Sequence, residues 1–176
     1  MIKTILEIGN PLLRKACEEV IIHNEQTILC YNDLVDTLHS TNGVGISAPQ
    51  IGYLLRMCVV KVFTDIQDRK SDSHILTLIN PIVVSHSEEI VEDREWCLSI
   101  PGKSPTTGLR ALVPRYRSIE ISYYDMQNTS HTQIFEWFNA RILQHEIDHL
   151  NGVLFLDNIQ NHQSVSTYDE YQKIIA

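Results

Sequence analysis

The stretch QHEIDHLNG, residues 144–152, constrains this chain more than any other. It sets His145 and His149 four positions apart, with Glu146 directly after the first. On an α-helix, positions i and i+4 share one face a turn apart, so both imidazoles can reach one metal ion. Glu146 is rotated about 100° around the axis, which suits a carboxylate working beside the ion rather than ligating it. The neighbours support a helix. Leu143, Ile147 and Leu150 recur at +4 and +3 spacing, and Gly152 provides a C-terminal stop. The plainer alternative is that both histidines sit on the polar face of an ordinary amphipathic helix.

The rest of the chain narrows the class. Its 176 residues suit one domain with a sizeable core, spanning 1–176 with a short C-terminal tail from about residue 160. No run approaches the roughly 20 apolar residues of a membrane span, and the N-terminus MIKTILEIGNPLL is interrupted by Glu7 and Pro11. A net charge of −8 without a Lys/Arg run argues against a nucleic-acid surface. Cys17, Cys30, Cys58 and Cys97 form no C-x-x-C pair, which suits a cytoplasmic protein with reduced thiols.

Periodicity supplies the elements. NEQTILCYNDLVDTLHSTNG reads as a first helix, with Ile28, Tyr31, Leu34, Val35 and Leu38 at helical spacing and Gly43 as its end. RMCVVKVF, HILTLIN and PIVVS read as strands, and SIEISYYD with TQIFEW as a hairpin. Strands around one late helix imply an α+β fold, with largely antiparallel sheets packed around that helix.

A catalytic metal site of this kind uses three protein ligands. Downstream of the helix stand Asp157 and His162; upstream, in EWCLSIPG, stands Cys97, whose thiolate would bind Zn²⁺ or Fe²⁺ strongly. A free cysteine is more commonly a small buried hydrophobe. Spacing alone leaves the third ligand open.

Three segments taken in order resemble the signature motifs of the peptide deformylase family. GVGISAPQ at 43–50 is similar to the family's G-h-G-h-A-A-x-Q, where h is apolar. EWCLS at 95–99 is similar to E-G-C-h-S, and QHEIDH at 144–149 to Q-H-E-x-D-H. GNPLLRKACEEV, LINPIVV, RALVPR and HLNGVLFLD extend the likeness to about residue 160.

The resemblance implies a metallohydrolase that removes the N-formyl group from the initiator methionine of nascent chains, releasing formate. It makes Cys97, His145 and His149 the metal ligands and Glu146 the general base and acid. Gln50 and the backbone N–H of Leu98 become oxyanion donors. Val44, Gly45, Trp96, Phe138 and Ile142 become substrate contacts. It implies Fe²⁺, which Zn²⁺, Ni²⁺ or Co²⁺ can replace in purified protein. Its partners would be N-formylmethionyl peptides and, transiently, the ribosome. Other readings are a non-catalytic or specificity-altered peptide-binding homologue, or a different H-E-x-x-H metallopeptidase.

The chain departs from the family in places. Trp96 replaces the glycine of E-G-C-h-S, and Ser47 an alanine. Trp137 stands where the histidine helix usually begins with glycine, so two indoles are expected near one pocket. The loop from Pro101 to Arg110 is longer than in many relatives. The tail SVSTYDEYQKIIA lacks the basic run by which some relatives dock on the ribosome. Glu95, two residues before Cys97, is expected to be partly buried and paired with Arg115.

Overall fold

The computed structural model describes residues 1–65, 72–100 and 108–175. Two antiparallel sheets enclose one helix. The larger has the order β1-β2-β3-β6-β7, and the smaller β4-β5-β8. Their strands are β1 (Gly45–Ser47), β2 (Met57–Phe63), β3 (Ser73–His86), β4 (Ile90–Glu95), β5 (Leu109–Tyr116), β6 (Ser118–Tyr124), β7 (Ser130–Glu136) and β8 (Ser166–Thr167). The helices are α1 (Glu25–His39), α2 (Trp137–Leu150) and α3 (Tyr168–Ile175). This is the α+β arrangement expected.

The run MCVVKVF is apolar almost throughout because β2 is covered on both faces. Cys58, Val60 and Val62 join Leu143, Ile147 and Leu150 of α2 in one core cluster. Met57 and Val59, on the alternate face, join Cys30, Leu34 and Leu38 of α1 in another. A third cluster combines Ala111 and Val113 of β5 with Leu13, Cys97, Leu154 and Phe155. The histidine helix therefore lies at the junction of two sheets, with eleven of its fourteen residues buried.

Helix α1 starts where Asn24 caps it, its side chain accepting from Thr27 N at 2.8 Å. It ends at His39, earlier than Gly43; hydroxyls of Ser40 and Thr41 bond back to the carbonyls of Thr37 and Leu38. Leu34 and Leu38 are fully buried with Cys30, and Tyr31 and Val35 pack against the same cluster, as their spacing predicts; Ile28 alone of that set is exposed.

HILTLIN and PIVVS are not two strands but one. Asn80 takes a left-handed φ of 51°, the register to β6 slips between Ile79 and Ile82, and the strand continues through Pro81. A β-bulge absorbs the turn residues that looked like a boundary. The expected hairpin of β6 and β7 forms, with Ser118 opposite Glu136 and Tyr124 opposite Ser130.

The segment from about residue 160 is structured. His162–Ser164 makes a 3-10 turn, β8 pairs with Leu109 and Arg110, and α3 follows. Among the described residues, no helix is long and apolar enough to cross a membrane.

Candidate metal centre

Two segments bring three donors together. Helix α2 presents His145 and His149 from one face, as their spacing requires. Cys97 arrives in the turn just after β4. The ligand atoms of Cys97, His145 and His149 all lie within 4.8 Å of one another, and Cys97 Sγ is 3.2 Å from His149 Nε2. All three residues are buried or nearly so. One thiol sulfur and two imidazoles, converging from rigid elements, form a donor set that fits a single divalent ion.

Asp157 and His162 stand elsewhere. Asp157 pairs with Arg14 and accepts from Leu154 N, which spends its carboxylate on fixing the chain after α2. His162 is exposed in the 3-10 turn. Of the candidates that spacing left open, only Cys97 reaches the histidines.

Glu95 organises the centre from behind. Its Oε1 accepts from Arg115 Nε at 2.8 Å and from Arg141 Nη1 at 2.8 Å; its Oε2 accepts from Arg115 Nη2 at 3.0 Å. His145 Nδ1 donates to the same Oε2 at 2.9 Å, which aims Nε2 at the centre. Burial pushes the Glu95 carboxyl up, but hydrogen bonds from His145 and Arg115 outweigh it and hold the group ionised, well below the usual range. Arg115 was the expected partner. Arg141 was not foreseen from sequence. A buried arginine in the helix two turns around from His149 was the available signal, since such a charge needs a carboxylate. Burial dominates at His149 and lowers its pKa well below the ordinary imidazole value, which favours the neutral form a ligand must take.

Glu146 is buried beside the donors. Ser47 Oγ lies 2.5 Å from its Oε2 and 3.0 Å from its main-chain oxygen. Burial lifts the carboxyl above its ordinary range. A Cβ placed on Gly45 would lie 2.5 Å from Glu146 Oε1, so this glycine makes room for the glutamate itself. Neither the contact from Ser47 nor the space under Gly45 is visible in the sequence, where Ser47 stands only as a replacement of alanine and Gly45 as an implied substrate contact.

Gln50 is buried and oriented at both ends. Its Oε1 accepts from Ser47 N at 2.8 Å, leaving Nε2 to face Ser99 Oγ at 3.1 Å and Cys97 Sγ at 3.6 Å. Gln50, Glu146, Cys97 and Leu98 open onto one cleft of about 420 Å³. Val44, Gly45, Trp96, Phe138 and Ile142 line it as well. Trp96 also packs against the cluster that contains Leu98 and Ile46, so it is a wall of the cleft and not a solvent-facing indole.

Trp137 departs from expectation. It is 41% exposed, lies under the Arg117 guanidinium at 4.8 Å, and is not among the cleft residues. Its φ of 51° is left-handed, so it occupies a backbone position that glycine fills without strain. That conformation turns the indole outward, and Phe138 takes the place at the cleft. Of the long loop, residues 101–107 lie outside the described residues.

The chain matches the family model described as polypeptide deformylase over residues 2–165. It is 39% identical over 174 residues to peptide deformylase 2 of Nostoc sp., covering 98% of this chain and 94% of that protein. It is 32% identical to the peptide deformylase of Brachyspira hyodysenteriae, covering 93% and 83%. Among solved structures, it is similar to the Met-Ala-Ser-bound class I type b peptide deformylase of Acinetobacter baumannii. The TM-score is 0.78 and the identity 28%, over 90% of this chain and 99% of that one. The Thermotoga maritima peptide deformylase gives a TM-score of 0.78 at 28% identity, over 92% and 99%.

Proposed function

Because this chain belongs to the polypeptide deformylase family, enzymes that remove the N-formyl group from nascent chains, we propose that Cys97, His145 and His149 hold its catalytic ion. The ion proposed is Fe²⁺, with Zn²⁺, Ni²⁺ and Co²⁺ as substitutes that the same donors accept. The observation that carries this reading is the convergence of three buried donor atoms from two remote segments, with Glu146 and Gln50 on the same cleft. When bound, such an ion acts as a Lewis acid and lowers the pKa of water.

The protein's own groups do the rest. Glu146 takes the proton of the attacking water and delivers it to the leaving amine, so formamide plus water becomes formate plus a free N-terminus. Its raised pKa brings it nearer neutrality, where a base works best. Ser47 steadies Oε2 of that carboxylate. Gln50 Nε2 donates to the oxyanion as charge develops, and the Leu98 N–H is the second donor. Gln50 is neutral and held from behind, so it stabilises charge without competing for the ion. Val44, Gly45 and Trp96 flank the peptide backbone; Phe138 and Ile142 supply apolar surface for the methionine.

Formate release from formyl-Met-Ala-Ser, measured together with metal content, tests the assignment. Cys97→Ala should lose both the ion and turnover. Glu146→Gln should keep the ion and lose turnover by on the order of 10²-fold or more. A Cys97→Ala protein that binds metal normally, or a Glu146→Gln protein near wild-type turnover, would remove the corresponding role.

A further inference from the structure

The C-terminal segment reaches the catalytic cleft. Tyr168 and Tyr171, three apart on α3, share a face and both line the cavity that holds Cys97 and Glu146. Two arginines hold the rings in place. The Arg94 guanidinium lies 4.3 Å from the Tyr171 ring centre; that of Arg110 lies 4.6 Å from Tyr168 and 5.3 Å from Tyr171. The segment before α3 is tied down as well. Arg94 Nη1 donates to Ser164 O at 3.1 Å, Leu112 N donates to Ser164 Oγ at 3.1 Å, and β8 pairs with β5. The result is a pair of preorganised aromatic surfaces on the cleft that also holds the catalytic groups.

We propose that Tyr168 and Tyr171 are specificity-determining residues. They form an aromatic wall against which the part of a formyl-peptide beyond its methionine packs, and they favour aromatic or long apolar side chains there. This rests on the reading of the metal centre given above. The formyl group has to reach Cys97, His145 and His149, and Val44, Leu98, Phe138 and Ile142 already supply apolar surface on the cleft. The tyrosines stand on α3, which follows β8 at the edge of the smaller sheet, so they add aromatic surface from a segment that lies outside the three motifs. Aromatic rings held by stacked guanidinium groups lose little freedom on binding, and they gain both buried area and ring-edge attraction from an apolar or aromatic partner.

The test is a comparison of KM for formate release by the full-length, metal-loaded enzyme on formyl-Met-Ala-Ser, formyl-Met-Ala-Phe and formyl-Met-Phe-Ser. At least one phenylalanine peptide should show a KM roughly tenfold below that of formyl-Met-Ala-Ser. Tyr168→Ala or Tyr171→Ala should bring that ratio close to one, whereas Tyr168→Phe and Tyr171→Phe should retain it, because the ring and not the hydroxyl does the packing. A variant that merely loosens the fold would raise KM for all three peptides together and leave the ratio intact; that result overturns the proposal. Turnover without any phenylalanine preference in the unmodified protein overturns it too, while leaving the metal centre standing. Absence of formate from every peptide would sink the reading of the centre, and the wall with it.

Discussion

At the level of single residues, the two tryptophans separate by backbone geometry. Trp96 follows an extended strand and lies on the cleft wall; Trp137 sits at a left-handed φ and turns outward beneath Arg117. Trp96→Gly should therefore widen the range of accepted formyl-peptides and act more on KM than on kcat, as for a residue that binds and does not react. Trp137→Gly should leave the peptide profile unchanged. Its effect on stability should be small. Relief of a left-handed side chain, about 1–2 kcal/mol, is offset by lost stacking of about 0.5–1 kcal/mol and by the extra entropy of an unfolded glycine, about 0.5–1 kcal/mol. Peptide profiles and denaturant melts of both variants check this, and a changed profile in Trp137→Gly would contradict the placement of its indole outside the cleft.

At the level of elements, buried charge holds strands to helices. Glu95 at the end of β4 joins Arg115 of β5 to Arg141 and His145 of α2, and Arg115 reaches on to Asp148 at 2.5 Å. Glu95→Ala would leave two buried guanidinium groups short of their carboxylate and release His145 from its orientation. A loss of about 3–5 kcal/mol is expected from breaking such a network on one side, and, with His145 as a proposed ligand, metal affinity should fall about 10–100-fold because the group that orients it is gone. Chemical denaturation and metal titration measure the two effects. Asp33 plays a comparable part on α1. It is fully buried, accepts from Tyr53 Oη at 2.8 Å, and pairs with the Met1 ammonium at 2.7 Å and Lys3 Nζ at 3.2 Å. Burial pushes its carboxyl up, but these partners prevail and hold it below the usual value. A depressed folded pKa means stability that is fully present above the unfolded value, near pH 3.9, and is lost as pH falls through the folded value. The acid limb of the stability curve should accordingly be shallower in Asp33→Asn, as thermal melts across the range from about pH 2 to 5 would show.

At the level of the whole molecule, α2 is the shared wall of two cores. It packs on the five-stranded sheet through Leu143, Ile147 and Leu150, and its histidines meet Cys97, which belongs to the core of the three-stranded sheet. An ion at that junction would tie both sheets to the helix. Chelation should therefore lower stability and not activity alone. With the ion at about a hundredfold excess over its Kd, linkage gives roughly 2.7 kcal/mol, a drop in Tm of about 5–10 °C for a chain of this size. Thermal melts with and without chelator, followed by re-addition of Fe²⁺ or Zn²⁺, measure it. An unchanged Tm would indicate that the donors do not hold a tightly bound ion.

What the sequence determined by itself was local or motif-borne. Helical spacing placed His145 and His149 on one face, because the α-helix repeats every 3.6 residues whatever surrounds it. Alternation and turn residues located the hairpin, and the order of three motifs indicated the family. Charge logic paired Glu95 with Arg115, since a carboxylate at a buried strand end needs a cation. Tertiary structure decided everything that depends on chains meeting from afar. Spacing could not choose between Cys97 and Asp157, and only packing carries β4's end to α2 while Arg14 occupies Asp157. The contact between Ser47 and Glu146, the space under Gly45 and the anchoring of Tyr168 and Tyr171 by Arg94 and Arg110 join residues far apart in the chain. Such contacts have no period to read, because they arise from how two sheets close on one helix and not from the conformational preference of any segment.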